Sequence, residues 1–103
     1  MDKILKLSDA VRLGSKLKPQ CFGALFRRDG SCALGAVADV MGFAYDSDTY
    51  RLLDKRFPEL QTTLATYENC ALNKDLKATI IMLNDTLKWT RERIADWLEE
   101  QGY

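Results

Sequence analysis

Cys32 is the residue with the clearest chemical argument. It follows Ser31, a good helix N-cap, and so falls in the first turn of an expected helix. Backbone N–H groups and the helix dipole favour a thiolate at such a position. Arg27 and Arg28 stand close in sequence and push the thiol the same way. That pattern would suit a nucleophilic or redox-sensing cysteine. Two facts weigh against it. The chain contains no histidine, so the commonest general base and the commonest metal ligand are missing. The residues that follow Cys32 are small and apolar, as they are around a packed structural thiol.

Cys21 and Cys70 bring the cysteine count to three, and no Cys-x-x-Cys occurs. An odd count argues against a disulfide framework, and a zinc site would need an oxygen ligand. Asp46 and Asp48 lack the twelve-residue calcium loop with its terminal Glu, so they read as helix caps. Gly30, Gly35 and Gly42 match no phosphate-binding fingerprint. No metal or cofactor is expected.

Lys plus Arg and Asp plus Glu both number 15, a formal charge of zero. Nucleic-acid binders usually carry a positive excess, because phosphate neutralisation supplies much of their affinity. A local patch of Lys16, Lys18, Arg27 and Arg28 is the best candidate for one here. The stretch Thr90 to Trp97 looks like the first helix of a helix-turn-helix, but the six residues after Trp97 leave no room for a recognition helix. Its Arg91 and Arg93 are also countered by Asp96, Glu99 and Glu100. Trp89, Trp97 and Tyr103 are the candidates for contact with a protein partner, since aromatic residues are enriched at binding hot spots.

The elements that must position these residues read as mainly helical. Apolar residues make up 47% and charged residues 29%, as in a folded domain rather than a disordered one. The length of 103 residues fits a single domain, residues 1–103. The first helix is expected from Ser8, with Ala10, Leu13, Gly14 and Leu17 inward, and Pro19 as its stop. Residues 20–30 read as a short strand or irregular segment, with Gly42 to Tyr45 as the plausible strand partner. The second helix is expected after Ser31 and through Met41, ending at a left-handed Gly42. Its many small residues predict a buried, central position. Gly35 costs about 1 kcal/mol of helix propensity, which points to a close backbone approach.

The third helix follows Asp46-Ser47-Asp48, with Tyr50, Leu53 and Phe57 inward. Pro58 then opens a short helix with Leu60, Leu64 and Tyr67 inward, and Glu68 to Cys70 form a loop. A fourth helix starts near Asn73 or Asp75, carries Leu76, Ile80 and Leu83 with Leu87 next in the series, and ends at Asn84-Asp85. Thr90 caps the last helix. Trp89 is placed to pack on Ile94, and Ile94, Trp97 and Leu98 face inward.

Three blocks carry a family resemblance. They are Leu7 to Gly14 with Lys18-Pro19-Gln20, then Ser31 to Ala36, then Leu83-Asn84-Asp85 with Trp89 to Trp97. As a set, which covers about half the chain, they resemble short, uncharacterised bacterial and prophage proteins. The resemblance implies a small helical protein and no particular activity. Some such proteins have a close cysteine pair before the Leu-Asn-Asp block, which implies a zinc knuckle there; this chain has Cys70 alone in that region.

The expected fold is therefore a compact bundle of about five short helices with room for one two-stranded element. The expected function is a small non-enzymatic interaction or regulatory domain with a protein partner or a second copy of itself. The alternatives are a thiol-dependent enzyme or redox sensor using Cys32, and a nucleic-acid-associated accessory factor. Charges within the first six residues disfavour a signal peptide, and no apolar run approaches the roughly 20 residues of a membrane span. The cytoplasm is the expected location.

Overall fold

The computed structural model describes residues 5–27, 29–44, 46–64 and 74–103. Five α-helices dominate: α1 (Leu7–Gly14), α2 (Ala33–Met41), α3 (Thr49–Arg56), α4 (Leu76–Asp85) and α5 (Arg91–Glu100). Two short antiparallel pairs join them: β1 (Phe26–Arg27) with β2 (Gly30–Ser31), and β3 (Thr63–Leu64) with β4 (Lys74–Asp75). The Cα radius of gyration is 12.7 Å, as tight as a folded chain of this length should be. One hydrophobic cluster takes side chains from all five helices and from the 3-10 turn Pro58–Gln61.

The alanine-rich helix α2 is the middle of the bundle. Ala33 to Ala38 are all buried, and α2 packs on α1, α3 and α4. Small side chains make this possible because neighbouring backbones can come close. Gly14 of α1 lies directly on the Ala36 backbone, and a Cβ at Gly14 would overlap that carbonyl. Gly35 lies against the Leu25 carbonyl, the Ser31 side chain and the Phe26 ring, as its poor helix propensity suggested.

Several boundaries differ from the sequence reading. α1 presents Leu7, Ala10, Val11 and Gly14 to the core, not Leu13 and Leu17, which are 47% and 59% exposed. It ends at Gly14, before Pro19 can act, and a turn at residues 15–17 follows. Ser8 does not cap it. The Ser8 N–H and Oγ instead donate to the main-chain oxygen of Tyr103, at 3.1 and 3.2 Å. The β1 strand pairs with Gly30–Ser31 rather than with Gly42 to Tyr45. A turn two residues away closes with less entropy loss than a partner fifteen residues on. Ser31 is therefore in β2, and Cys32 caps α2; Gly42 at φ 74° ends α2 as expected.

Further on, Leu53 and Phe57 are buried as expected, but Tyr50 is 39% exposed. The short helix after Pro58 is only a 3-10 turn that buries Leu60, and the backbone of Leu64 is extended in β3. Tyr67 and the expected loop from Glu68 to Cys70 lie outside the described residues. Asp75 and Thr90 cap α4 and α5, accepting from the N–H of Ala78 at 2.8 Å and of Arg93 at 3.1 Å. Leu87 is past the end of α4 and 45% exposed.

Gly14→Ala and Gly35→Ala should each destabilise the fold, although alanine gains about 1 kcal/mol of helix propensity. The added methyl meets backbone, which cannot step aside as a flexible side chain does. The expected cost is about 2 kcal/mol, a fall in Tm of about 10 °C by circular dichroism. A raised Tm in either variant would show that the helices do not approach this closely.

Candidate functional site

Asn84, fully buried near the end of α4, is the polar hub of the molecule. Its Oδ1 accepts from Gln20 Nε2 at 2.8 Å and from the Ala33 N–H at 3.2 Å. Its Nδ2 donates to the Cys21 carbonyl at 2.9 Å and to Asp85 Oδ1 at 2.7 Å. All four hydrogen-bonding positions of the carboxamide are thus used. Gln20 Nε2 also donates to the Trp89 carbonyl at 2.8 Å, which extends the network to the entrance of α5.

Arg91 is the second buried polar anchor. Its Nη1 donates to the Ser31 carbonyl and Oγ at 3.2 and 3.0 Å. Its Nη2 donates to the carbonyls of Ser15 and Lys18 at 3.1 and 2.6 Å. Ser15 is the C-cap of α1, where carbonyls are left over and a positive charge is favoured. Burial pulls the guanidinium below its ordinary pKa. The sequence reading weighed Arg91 with Arg93 as surface charge. The spacing Arg91, Ile94, Ala95, Leu98 was the available signal, for it places Arg91 on the apolar face of α5.

Cys32 sits between these anchors, 4% exposed. Its Sγ accepts from the Gly35 N–H at 3.4 Å, so the thiol does occupy a helix N-terminus. Burial outweighs that help and pushes its pKa up to about 11. The direction is opposite to the one its position in the sequence suggested. Arg27 does not reverse it; its Nε donates to the Phe22 carbonyl at 3.0 Å, and its charge is felt at Cys21. Cys21 is also buried, and its pKa is raised by burial. Cys70 lies outside the described residues. Among the described residues no group of three or more Cys, Asp or Glu could hold a metal ion.

The described cationic candidates differ in their settings. Lys18 Nζ pairs with Asp39 at 3.2 Å, inside the bundle's edge. Lys16 is exposed on the turn after α1, and Arg27 is exposed on β1. Arg28 lies outside the described residues.

The aromatic candidates fare differently. Trp89 and Trp97 line one open groove on the outer side of α5, together with Arg93, Asp96 and Glu100. Both indoles are half-buried against the core, so Trp97 is only partly inward. The Arg93 guanidinium lies 3.8 Å from the Trp89 ring centroid, a cation–π stack. Tyr103 lies elsewhere, half-buried against the core, with its main-chain oxygen on Ser8. A second depression, lined by Asp96, Glu99 and Glu100, adjoins the groove and shares Asp96 and Glu100 with it. Arg12 reaches across from α1 to Asp96 at 2.9 Å and Glu99 at 3.0 Å.

The chain matches no protein-family model, no curated protein and no solved structure. Among the described residues, no helix is long and apolar enough to cross a membrane.

Two outcomes test this geometry. Asn84→Leu should cost about 3 kcal/mol, because it orphans the Ala33 N–H and the Cys21 carbonyl in the interior. Amide hydrogen exchange should speed at Ala33 well before global unfolding; unchanged exchange there would refute the hub. For Cys32, the folded pKa of about 11 exceeds the ordinary 9.0. The unfolded thiol therefore ionises first. Its contribution to stability is whole below pH 9 and is lost as pH rises towards about 11. Cys32→Ser, which keeps an acceptor for the Gly35 N–H, should flatten the alkaline fall in unfolding free energy, read from urea melts, by about 2 kcal/mol. An unchanged alkaline slope would show that the thiol is not desolvated.

Proposed function

We propose that this chain is a small non-enzymatic protein-interaction domain of bacterial or phage origin, acting in the cytoplasm. The observation that carries the reading is the groove on α5 that gathers Trp89, Trp97 and Arg93. Trp and Arg are the residues most enriched at binding hot spots. Here the two rings are seated partly in the core, so little side-chain freedom remains to be lost on binding. Arg93 is held flat on Trp89, and charged residues rim the groove.

The alternatives draw less support. A thiol-dependent enzyme needs an accessible, acidic cysteine, and Cys32 is buried with its pKa raised. A nucleic-acid factor needs a continuous cationic surface, yet Lys18 is tied to Asp39 and the outer side of α5 is rich in carboxylates.

The test is site-specific photocrosslinking in the native host. A photoreactive residue at exposed position 100, in the lining of the groove, should give a discrete adduct; one at exposed position 55, on α3, should not. Trp97→Ala should lower the yield from position 100 while circular dichroism shows a folded protein. An adduct of twice the chain mass would identify a second copy as the partner. Equal labelling from both positions, or none from position 100, would refute the reading.

A further inference from the structure

We infer that the α5 groove receives a cationic peptide segment of its partner, with Lys or Arg set beside one bulky apolar anchor. The inference rests on the interaction-domain reading and names the chemistry of the partner. Its basis is the pairing of two adjoining depressions. One is lined by the two indoles with Arg93; the other, among the described residues, by the carboxylates of Asp96, Glu99 and Glu100, and Asp96 and Glu100 belong to both. Those two carboxylates are four residues apart on one helix, so they stand one turn apart along the same edge of the groove.

Charge complementarity selects the occupant. Glu92, Asp96, Glu99 and Glu100 are all exposed on α5, with side chains of Asp96 and Glu99 70% and 61% exposed. Against these four carboxylates stand two guanidiniums, Arg93 and Arg12. Arg12 bridges Asp96 and Glu99 from one side, and its own pKa is raised by those contacts. A carboxylate oxygen accepts more than one donor, so Asp96 and Glu99 retain capacity for a second cation. An acidic peptide or a phosphate backbone would meet repulsion along the whole edge. A basic side chain would meet carboxylates, and its apolar neighbour would lie on the indoles. Exposed charge pairs of this kind contribute modestly to affinity but speed and orient the encounter, so binding should weaken with salt.

The groove supplies its own reporter, because the chain's two tryptophans both line it. The probe is a designed amphipathic peptide of Lys, Arg and Leu without aromatic residues, compared with counterparts carrying Glu or Gln in place of the basic residues. Indole emission should change saturably with the basic peptide alone. Asp96→Asn combined with Glu100→Gln should weaken that binding about fivefold, as should a rise in salt from about 50 to 300 mM. Glu59→Gln, an acid on another element, should leave it unchanged. If the double variant binds the basic peptide as tightly as the wild type, the inference is overturned. If the Gln or Glu peptide binds as well as the basic one, the cationic class is wrong while the docking groove stands. If no peptide alters the emission, the partner class is again wrong, and the crosslinking from position 100 decides separately whether the groove docks a protein at all.

Discussion

The fold depends on one carboxamide. Asn84 holds the first amide of α2, the Cys21 carbonyl and the Gln20 side chain at once, and Gln20 passes the connection on to Trp89. A carboxamide suits this place because it offers two acceptor and two donor positions in a plane. Leucine would fill the volume and leave those groups unpaired; aspartate would lose the donors. The irregular loop between α1 and β1 has few regular hydrogen bonds of its own, so its backbone polar groups must be satisfied by side chains. Asn84 takes the Cys21 carbonyl, and Arg91 takes those of Ser15 and Lys18.

The same requirement explains the sequence near α2. A helix reached by buried side chains at its N-terminus cannot have bulky residues around it. Cys32, Ala33, Gly35 and Ala36 keep the space narrow, while Gly14 lets α1 close over the top. Cys32 then serves as a soft cap, its sulfur receiving a backbone N–H in a place where a charged cap would be costly. Its conspicuous position in the sequence is thus a buried capping position in the fold.

Much of the helical frame was legible in the sequence. Gly42 and Pro58 marked the ends of α2 and α3, and Asp75 and Thr90 the starts of α4 and α5, since their effects are local; Asp48 stands before α3 but makes no side-chain capping hydrogen bond, so the acidic cluster marked a turn and not a cap. The strand pairings were misread because residues 20–31 carry two short apolar runs with no period to separate them, and a tight turn won over a distant partner. Leu13 and Leu17 misled because helical spacing permits two overlapping faces on α1, and only the depth of α2 decides between them. Of the aromatic candidates, Trp97 lies within α5 but Trp89 precedes its cap, so their shared groove depends on how the chain enters the helix and was not legible from spacing. Nor was the role of Asn84. A polar residue at a helix end reads locally as a turn, and three of its four partners, Gln20, Cys21 and Ala33, are more than 50 residues away in the chain.

The contact between Ser8 and Tyr103 joins residues 95 apart in sequence. Together with the packing of α1 on α5, it means that the core encloses both the earliest and the latest helices. During synthesis the side of α1 that packs on α5 stays uncovered until α5 has emerged, although α2 is there earlier to cover the other side. The α1–α5 packing is thus a long-range contact that forms late. Assembly of this small protein should be slower than helix content alone would suggest, and more cooperative.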